Sequence, residues 1–293
     1  MASEQQCTCV MSHVTLSRGN ISRAWQAEAV GAPVLWGAGL TGSGVTIGFL
    51  DSGVETGHEC LGSAHLPGGF RDAVDGADGA PWDRSGHGTR VASLALGRHV
   101  RWPVGVAPGA RMAAAAVTLS DDTVWTHLTL AGLSWMLEQR HTLRVLNISL
   151  AMTPHPEVGP LLSALEDRGV LVVAAAQGAS AAASWPGALL AGAVDQRGVP
   201  DRPSAAALAT SPDVCVLAPG TRVLAARPFE PDAYEVASGT SMAAAVVSGV
   251  AALIAQRYPE LTPAGLRRAL REGSRGGTLS APAALAAACS MRG

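Results

Sequence analysis

Gly44-Val-Thr-Ile-Gly-Phe-Leu-Asp51-Ser-Gly53 is an apolar, β-rich run that opens on glycine and closes on turn chemistry. Such a run predicts a buried strand that delivers the Asp51 carboxylate at its C-terminal tip. Val145-Leu-Asn-Ile-Ser-Leu150 and Val170-Leu-Val-Val-Ala-Ala-Ala176 read the same way, and Arg111-Met-Ala-Ala-Ala-Ala-Val117 is a fourth strand despite alanines that equally suit a helix. Between them lie helical segments: one opening near His87 and stopping at Gly97, one over 123–140 that Asp121 and Asp122 can cap, and one over 158–168. Continuous apolar strands alternating with helices define an α/β class with a mostly parallel central sheet covered on both faces. Residues 54–85, rich in Gly, Asp and Pro, read as loop with little regular structure. Ser238 to Ala255 is an apolar helix entered through a glycine turn, and 263–271 and 281–288 supply two shorter helices.

Composition narrows the function. The chain has 293 residues, 48% apolar and 15% charged, with 34 glycines and 18 prolines. That is ample material for one large core. Net charge is −2 and the basic residues are scattered apart from short clusters such as Arg267, Arg268 and Arg271, so no electrostatic footprint for nucleic acid is present. All 21 basic residues are arginine, which removes lysine nucleophiles, lysine bases and Schiff-base chemistry. The N-terminus lacks a basic and apolar leader pattern, and no uninterrupted apolar stretch reaches membrane-spanning length, so a soluble, cytoplasmic protein without membrane partners is expected. The five cysteines, Cys7, Cys9, Cys60, Cys215 and Cys289, are irregularly spaced and odd in number, and free thiols are expected.

In open parallel sheets, ligands gather beyond the carboxyl ends of the strands. Asp51 lies there, as do the segments after Leu150 and after Ala176. A serine hydroxyl is a poor nucleophile without a base in reach, and the base needs a buried carboxylate to fix its tautomer. Asp51 after a strand, His87 opening a helix and Ser241 opening another helix after a glycine supply one of each. At a helix opening, main-chain N–H groups can also support a developing oxyanion.

Asp51-Ser-Gly, Gly86-His87-Gly-Thr and Gly239-Thr-Ser241-Met-Ala resemble, in this order, the three active-site signatures of the subtilisin-like serine proteases (subtilases). Gly105-Val-Ala-Pro-Gly109, Ala218-Pro-Gly220 and the helix after Asp121 look like further landmarks of that family. The resemblance implies a three-layer subtilisin-like fold, with a peptidase domain over 38–289, an N-terminal extension over 1–37 and a tail over 290–293. It also implies a serine endopeptidase with Asp51, His87 and Ser241 as the triad and no cofactor. The substrate would be an extended polypeptide or peptide precursor pairing with Ser149, Leu150 and Ala151. Acyl transfer to an amine, making a ligase or cyclase, and a catalytically silent binding module are the alternatives. The oligomeric state is left open.

Departures from the family pattern are equally specific. The family places an oxyanion-binding asparagine in Ala-Ala-Gly-Asn, whereas this chain reads Ala174-Ala-Ala-Gln177-Gly178, which makes Gln177 the expected donor. Arg90 and Ser93 replace a histidine and a glycine on the His87 helix, and Ala245 and Val246 replace proline and histidine after Ser241. Cys60 stands where many subtilases carry a calcium-ligating aspartate; a thiol suits that hard cation poorly, so no metal is expected, and Cys60 could instead face Cys7 or Cys9. About 40 residues precede the first strand, too few for a folding prodomain, and an intracellular role in trimming a peptide precursor is the expectation.

Overall fold

The computed structural model describes residues 7–8, 13–14, 24–62, 66, 69–119, 123–138, 143–213, 215–275 and 277–291. Two short strands, β1 (Cys7–Thr8) and β2 (His13–Val14), precede helices α1 (Trp25–Ala29) and α2 (Ala32–Gly37). Then come β3 (Thr46–Asp51), β4 (Phe70–Asp72), β5 (Ala77–Asp78), α3 (His87–Leu96), β6 (Arg111–Ala116), β7 (Thr123–Val124), α4 (Thr126–Glu138), β8 (Leu143–Ile148), α5 (Val158–Asp167) and β9 (Leu171–Ala175). The chain continues through α6 (Ala181–Ser184), β10 (Leu189–Val194), α7 (Arg202–Thr210), β11 (Cys215–Pro219), β12 (Val223–Ala226) and β13 (Tyr234–Ala237). It closes with α8 (Thr240–Arg257), α9 (Pro263–Glu272) and α10 (Ala281–Ser290).

The main sheet runs β11-β10-β9-β8-β3-β6-β4-β5, with seven parallel strands and the antiparallel β5 at one edge. Alternate residues feed two separate cores. Ile47, Phe49, Met112, Ala114, Val145, Leu171 and Val173 face a layer that includes α3 and α8, while Leu50, Ala113, Ala115, Leu146, Ile148, Val172 and Ala174 face a layer that includes α4 and α5. Both faces being dry explains why the strands are apolar throughout rather than alternating. Together these layers make a three-layer α/β fold with a mostly parallel central sheet.

From β3 the chain first builds outward through β4 and β6, then crosses to β8 on the other flank and continues to β11. The reversal falls between β3 and β8, whose carboxyl ends are therefore the preferred place for a ligand in such sheets. Beneath it, α8 is buried over nearly its whole length, from Thr240 to Ala255. Among the described residues it is the one helix long and apolar enough to cross a membrane, and here it is the central core helix. Helices α1 and α2 are packed into the same core through Ala27, Val30, Ala32 and Leu35, and Gln26 donates to the carbonyls of Val104 and Leu224.

Two segments differ from the sequence reading. The stretch taken as loop contains β4 and β5, and β4 pairs with β6 through Phe70, Arg71 and Asp72. A three-residue strand leaves no periodic signature, and its partner across the sheet is more than 40 positions away. The fourth helix begins at Thr126, preceded by the short strand β7 that pairs with β1; Asp121 and Asp122 lie outside the described residues. Strands β10 to β13 and helix α7 carried no separate expectation.

The segment after Asp51 is fastened by His58, which is 2% exposed. Its Nε2 lies 2.7 Å from the Ala233 carbonyl, and its Nδ1 accepts from Cys60 N–H at 3.2 Å. One ring nitrogen donates and the other accepts, which only the neutral imidazole can do. The Tyr234 ring stands edge-on at 5.0 Å, and Glu59 N–H donates to the Pro231 carbonyl at 2.7 Å.

Burial pulls the His58 pKa below its ordinary value, against the Ala233 carbonyl, Glu59 and Asp232, which favour the charged ring, and alongside Arg101, which disfavours it. As pH falls through about 6.5, the unfolded chain takes up this proton first, so stability drops. The stability advantage of the wild type over His58→Gln is therefore expected to shrink between pH 7.5 and 5 in urea melts. An advantage that stays constant across that range would remove His58 as the cause.

Candidate active site

Asp51 ends β3 with 1% exposure, and its Oδ1 lies 2.6 Å from Nδ1 of His87, the first residue of α3. The same oxygen accepts Ser52 N–H at 2.8 Å. A carboxylate at Nδ1 selects the tautomer protonated there and leaves Nε2 as the basic nitrogen. Burial pushes the Asp51 carboxyl above its ordinary range, with the charge of Asp83 adding to the rise, while His87 and the Ser52 N–H pull the other way and only partly offset it.

Glycine makes the approach of α3 to β3 possible. A β-carbon on Gly88 would stand 2.0 Å from the Gly53 carbonyl oxygen and 3.1 Å from Asp51 Oδ1. Gly53 has φ +119°, and a β-carbon there would meet the Trp82 carbonyl at 2.1 Å.

A second buried carboxylate, Asp83, organises the same corner and had no place in the sequence reading. Its Oδ1 accepts Gly86 N–H at 2.8 Å and Ser85 N–H at 3.2 Å, while its Oδ2 accepts Thr89 N–H at 2.8 Å and Thr89 Oγ1 at 2.5 Å. Ser52 Oγ donates to Asp83 at 2.7 Å and accepts Gly88 N–H at 2.9 Å. An aspartate just ahead of a helix opening is a recognisable start signal, and it was the available clue.

Ser241 occupies the second position of α8, after the N-cap Gly239 at φ +149°. Gly239 N–H donates to the Gly220 carbonyl at 2.8 Å, and a β-carbon on Gly220 would lie 2.6 Å from that of Ala193 and 2.9 Å from that of Ala243. The Ser241 hydroxyl donates to the Ser149 carbonyl at 3.3 Å, and Ser149 Oγ donates to the Ser241 carbonyl at 3.2 Å. Asn147 supports this pair from within β8: its Nδ2 donates to Ser149 Oγ at 2.9 Å and its Oδ1 accepts from Ser248 Oγ at 3.0 Å. The structure thus brings Asp51 to His87 and Ser241 to Ser149, with the serine hydroxyl turned to a main-chain carbonyl rather than to the imidazole.

Ser149 and Leu150 are buried and Ala151 is half-buried, directly beyond the end of β8. Gln177 is half-buried on the loop after β9, at the same end of the sheet. Gln177 N–H donates to the Ala175 carbonyl at 2.9 Å and Gly178 N–H to that of Ala176 at 3.0 Å, two successive tight turns in a segment one residue shorter than the family motif.

The replaced residues on the His87 helix have partners elsewhere. Arg90 Nε donates to Glu235 Oε1 in a buried ion pair with β13, and Ser93 Oγ donates to the Arg90 carbonyl at 2.7 Å while accepting Ala226 N–H at 3.0 Å. Ala245 and Val246 are fully buried in α8.

Cys60 is a free, fully buried thiol in the main core, pushed up to about 12 chiefly by burial, so it stays protonated. The side chains of Cys7 and Cys9, its suggested partners, lie outside the described residues. Cys215 and Cys289 are also free. Among the described residues, no three His, Cys, Asp or Glu side chains are grouped to hold a metal ion.

Comparison with known proteins adds a match to the subtilase family model over residues 42–284. The chain is similar to Subtilisin BL of Lederbergia lenta, 32% identical over 258 residues, covering 84% of this chain and 89% of that protein. It is similar also to M-protease of Shouchella clausii (strain KSM-K16), 32% identical over 263 residues and 86% of this chain, of whose length it spans 64%. Subtilisin-like protease PopC of Myxococcus xanthus (strain DK1622) is 30% identical over 282 residues, with 84% of this chain and 58% of that protein covered.

A methyl group at residue 88 has nowhere to go unless α3 retreats from β3. Gly88→Ala is therefore expected to cost about 1–3 kcal/mol in unfolding free energy, as overpacking of a dense interior does. It should also abolish the downfield NMR signal of the His87 Nδ1 proton. Retention of both stability and signal would mean the close contact is not needed.

Proposed function

The chain belongs to the subtilase family, and on that premise we propose that it is an endopeptidase in which Ser241 is the nucleophile, His87 the general base and Asp51 the orienting carboxylate. Membership alone makes it a subtilisin-like serine protease, a hydrolase acting on polypeptides. The finer assignment is carried by one observation: the 2.6 Å contact between His87 Nδ1 and a buried Asp51, which leaves Nε2 to take a proton.

An extended substrate lying along Ser149 to Ala151 offers main-chain N–H groups to the carbonyl that the Ser241 hydroxyl occupies in the free protein. Displaced from Ser149, the hydroxyl rotates toward His87 and transfers its proton as its oxygen attacks the scissile carbonyl. The resulting oxyanion lies against the N-terminus of α8, where the Ser241 N–H precedes the first bonds of the helix, made by Met242 and Ala243 to the Gly239 carbonyl, and against the Gln177 carboxamide. His87 returns the proton to the leaving amine, and water, deprotonated by the same imidazole, releases the acyl group.

A fluorophosphonate should label the wild type and not Ser241→Ala, whose peptide turnover should fall on the order of 10⁶-fold, the effect known for the nucleophile of subtilisin itself. Equal labelling of both proteins would end the assignment. Gln177→Ala should lose about 10²–10³-fold in turnover, again the magnitude known for an oxyanion donor in subtilisin. Turnover within about threefold of wild type would take Gln177 out of the mechanism.

A further inference from the structure

We propose that Arg90, Ser93 and Glu235 are positioning residues that lock the helix carrying His87 to the strand leading into Ser241. Three points on α3 and its entry face the β12–β13 hairpin, and they fall at residues 86, 90 and 93, a spacing that shares one helix face. Gly86 packs so closely on Pro228 that a β-carbon would stand 2.3 Å from its Cγ. Arg90 pairs with Glu235, the two residues being 7% and 3% exposed. Ser93 Oγ takes the Ala226 N–H at 3.0 Å.

The geometry matters because of where each partner leads. His87 begins α3, and β13 ends at Ala237, after which only Ser238, Gly239 and Thr240 precede Ser241. A sliding or tilting motion between helix and hairpin would separate base from nucleophile. A buried guanidinium and carboxylate resist that motion, since neither tolerates the loss of its partner in a dry environment.

This inference rests on the proposed assignment of His87 and Ser241, and the experiment separates the two. Glu235→Gln, Arg90→Gln, their combination and Ser93→Ala would be assayed for kcat and KM well below the melting temperature, with folding checked by circular dichroism. Each charge variant is expected to lose at least tenfold in kcat with KM within about twofold, and the double variant should be no worse than the poorer single, because the pair acts as a unit. Ser93→Ala, the mildest change, should lose about threefold in kcat.

In the Ser241→Ala background, amide hydrogen exchange over residues 238–242 should quicken at least tenfold on adding Glu235→Gln, and about threefold on adding Ser93→Ala. Melting temperatures that fall while kcat stays within twofold of wild type, additive losses, or an unchanged exchange rate in that turn would overturn the lock. Should the charge variants not fold, Ser93→Ala and its exchange rate decide. A wild type inert toward peptides would remove the catalytic assignment, and exchange alone would then judge the lock.

Discussion

A β-carbon on Gly88 would stand 2.0 Å from the Gly53 carbonyl oxygen, and this absence of side chains at the meeting of α3 with β3 is the constraint from which the site follows. A helix normally keeps its axis 8–10 Å from its neighbours because side chains intervene. Here the first turn of α3 touches the backbone beyond β3, which is how an imidazole on that turn reaches a carboxylate at the strand tip. Ser52 fixes the contact from one side by accepting Gly88 N–H, and Asp83 fixes Ser52 in turn.

Two carboxylates within one buried corner make an electrostatic problem that is solved by donors rather than by cations. Asp83 draws four hydrogen bonds from the 85–89 turn and a fifth from Ser52. Asp51 draws the Ser52 N–H and the His87 ring. Each charge is met by groups fixed in place by the fold, so the field at the imidazole exists before any substrate arrives. The same economy appears under Ser241, where Asn147 and Ser248 hold Ser149 in register with the turn that carries the hydroxyl.

The residues that depart from the family motifs are not scattered replacements. Ala245 and Val246 put apolar side chains into the core at those two positions of α8, Arg90 and Ser93 reach across to the β12–β13 hairpin, and Cys60 sits dry between the Asp51 loop and Tyr234. Arg90, Ser93 and Cys60 each answer to a neighbour far away in the chain, which their local sequence does not reveal.

Much of the architecture was legible beforehand because strands buried on both faces write themselves as unbroken apolar runs, and because a strand tip, a helix opening and a glycine turn each leave local marks. Asp51, His87 and Ser241 could be picked out as candidates from such marks taken with the family resemblance, and the parallel sheet from the apolar runs. The short strand at Phe70–Asp72, the hub at Asp83, the Asn147–Ser149–Ser241 chain and the Arg90–Glu235 pair could not. The amino-acid order by itself determined which groups can ionise, donate or turn the backbone, since those are properties of single residues and their neighbours. Only the tertiary structure decided which of those groups meet, and that the Ser241 hydroxyl rests on Ser149 in the free protein, because distances between points remote in the chain are set by how the layers pack.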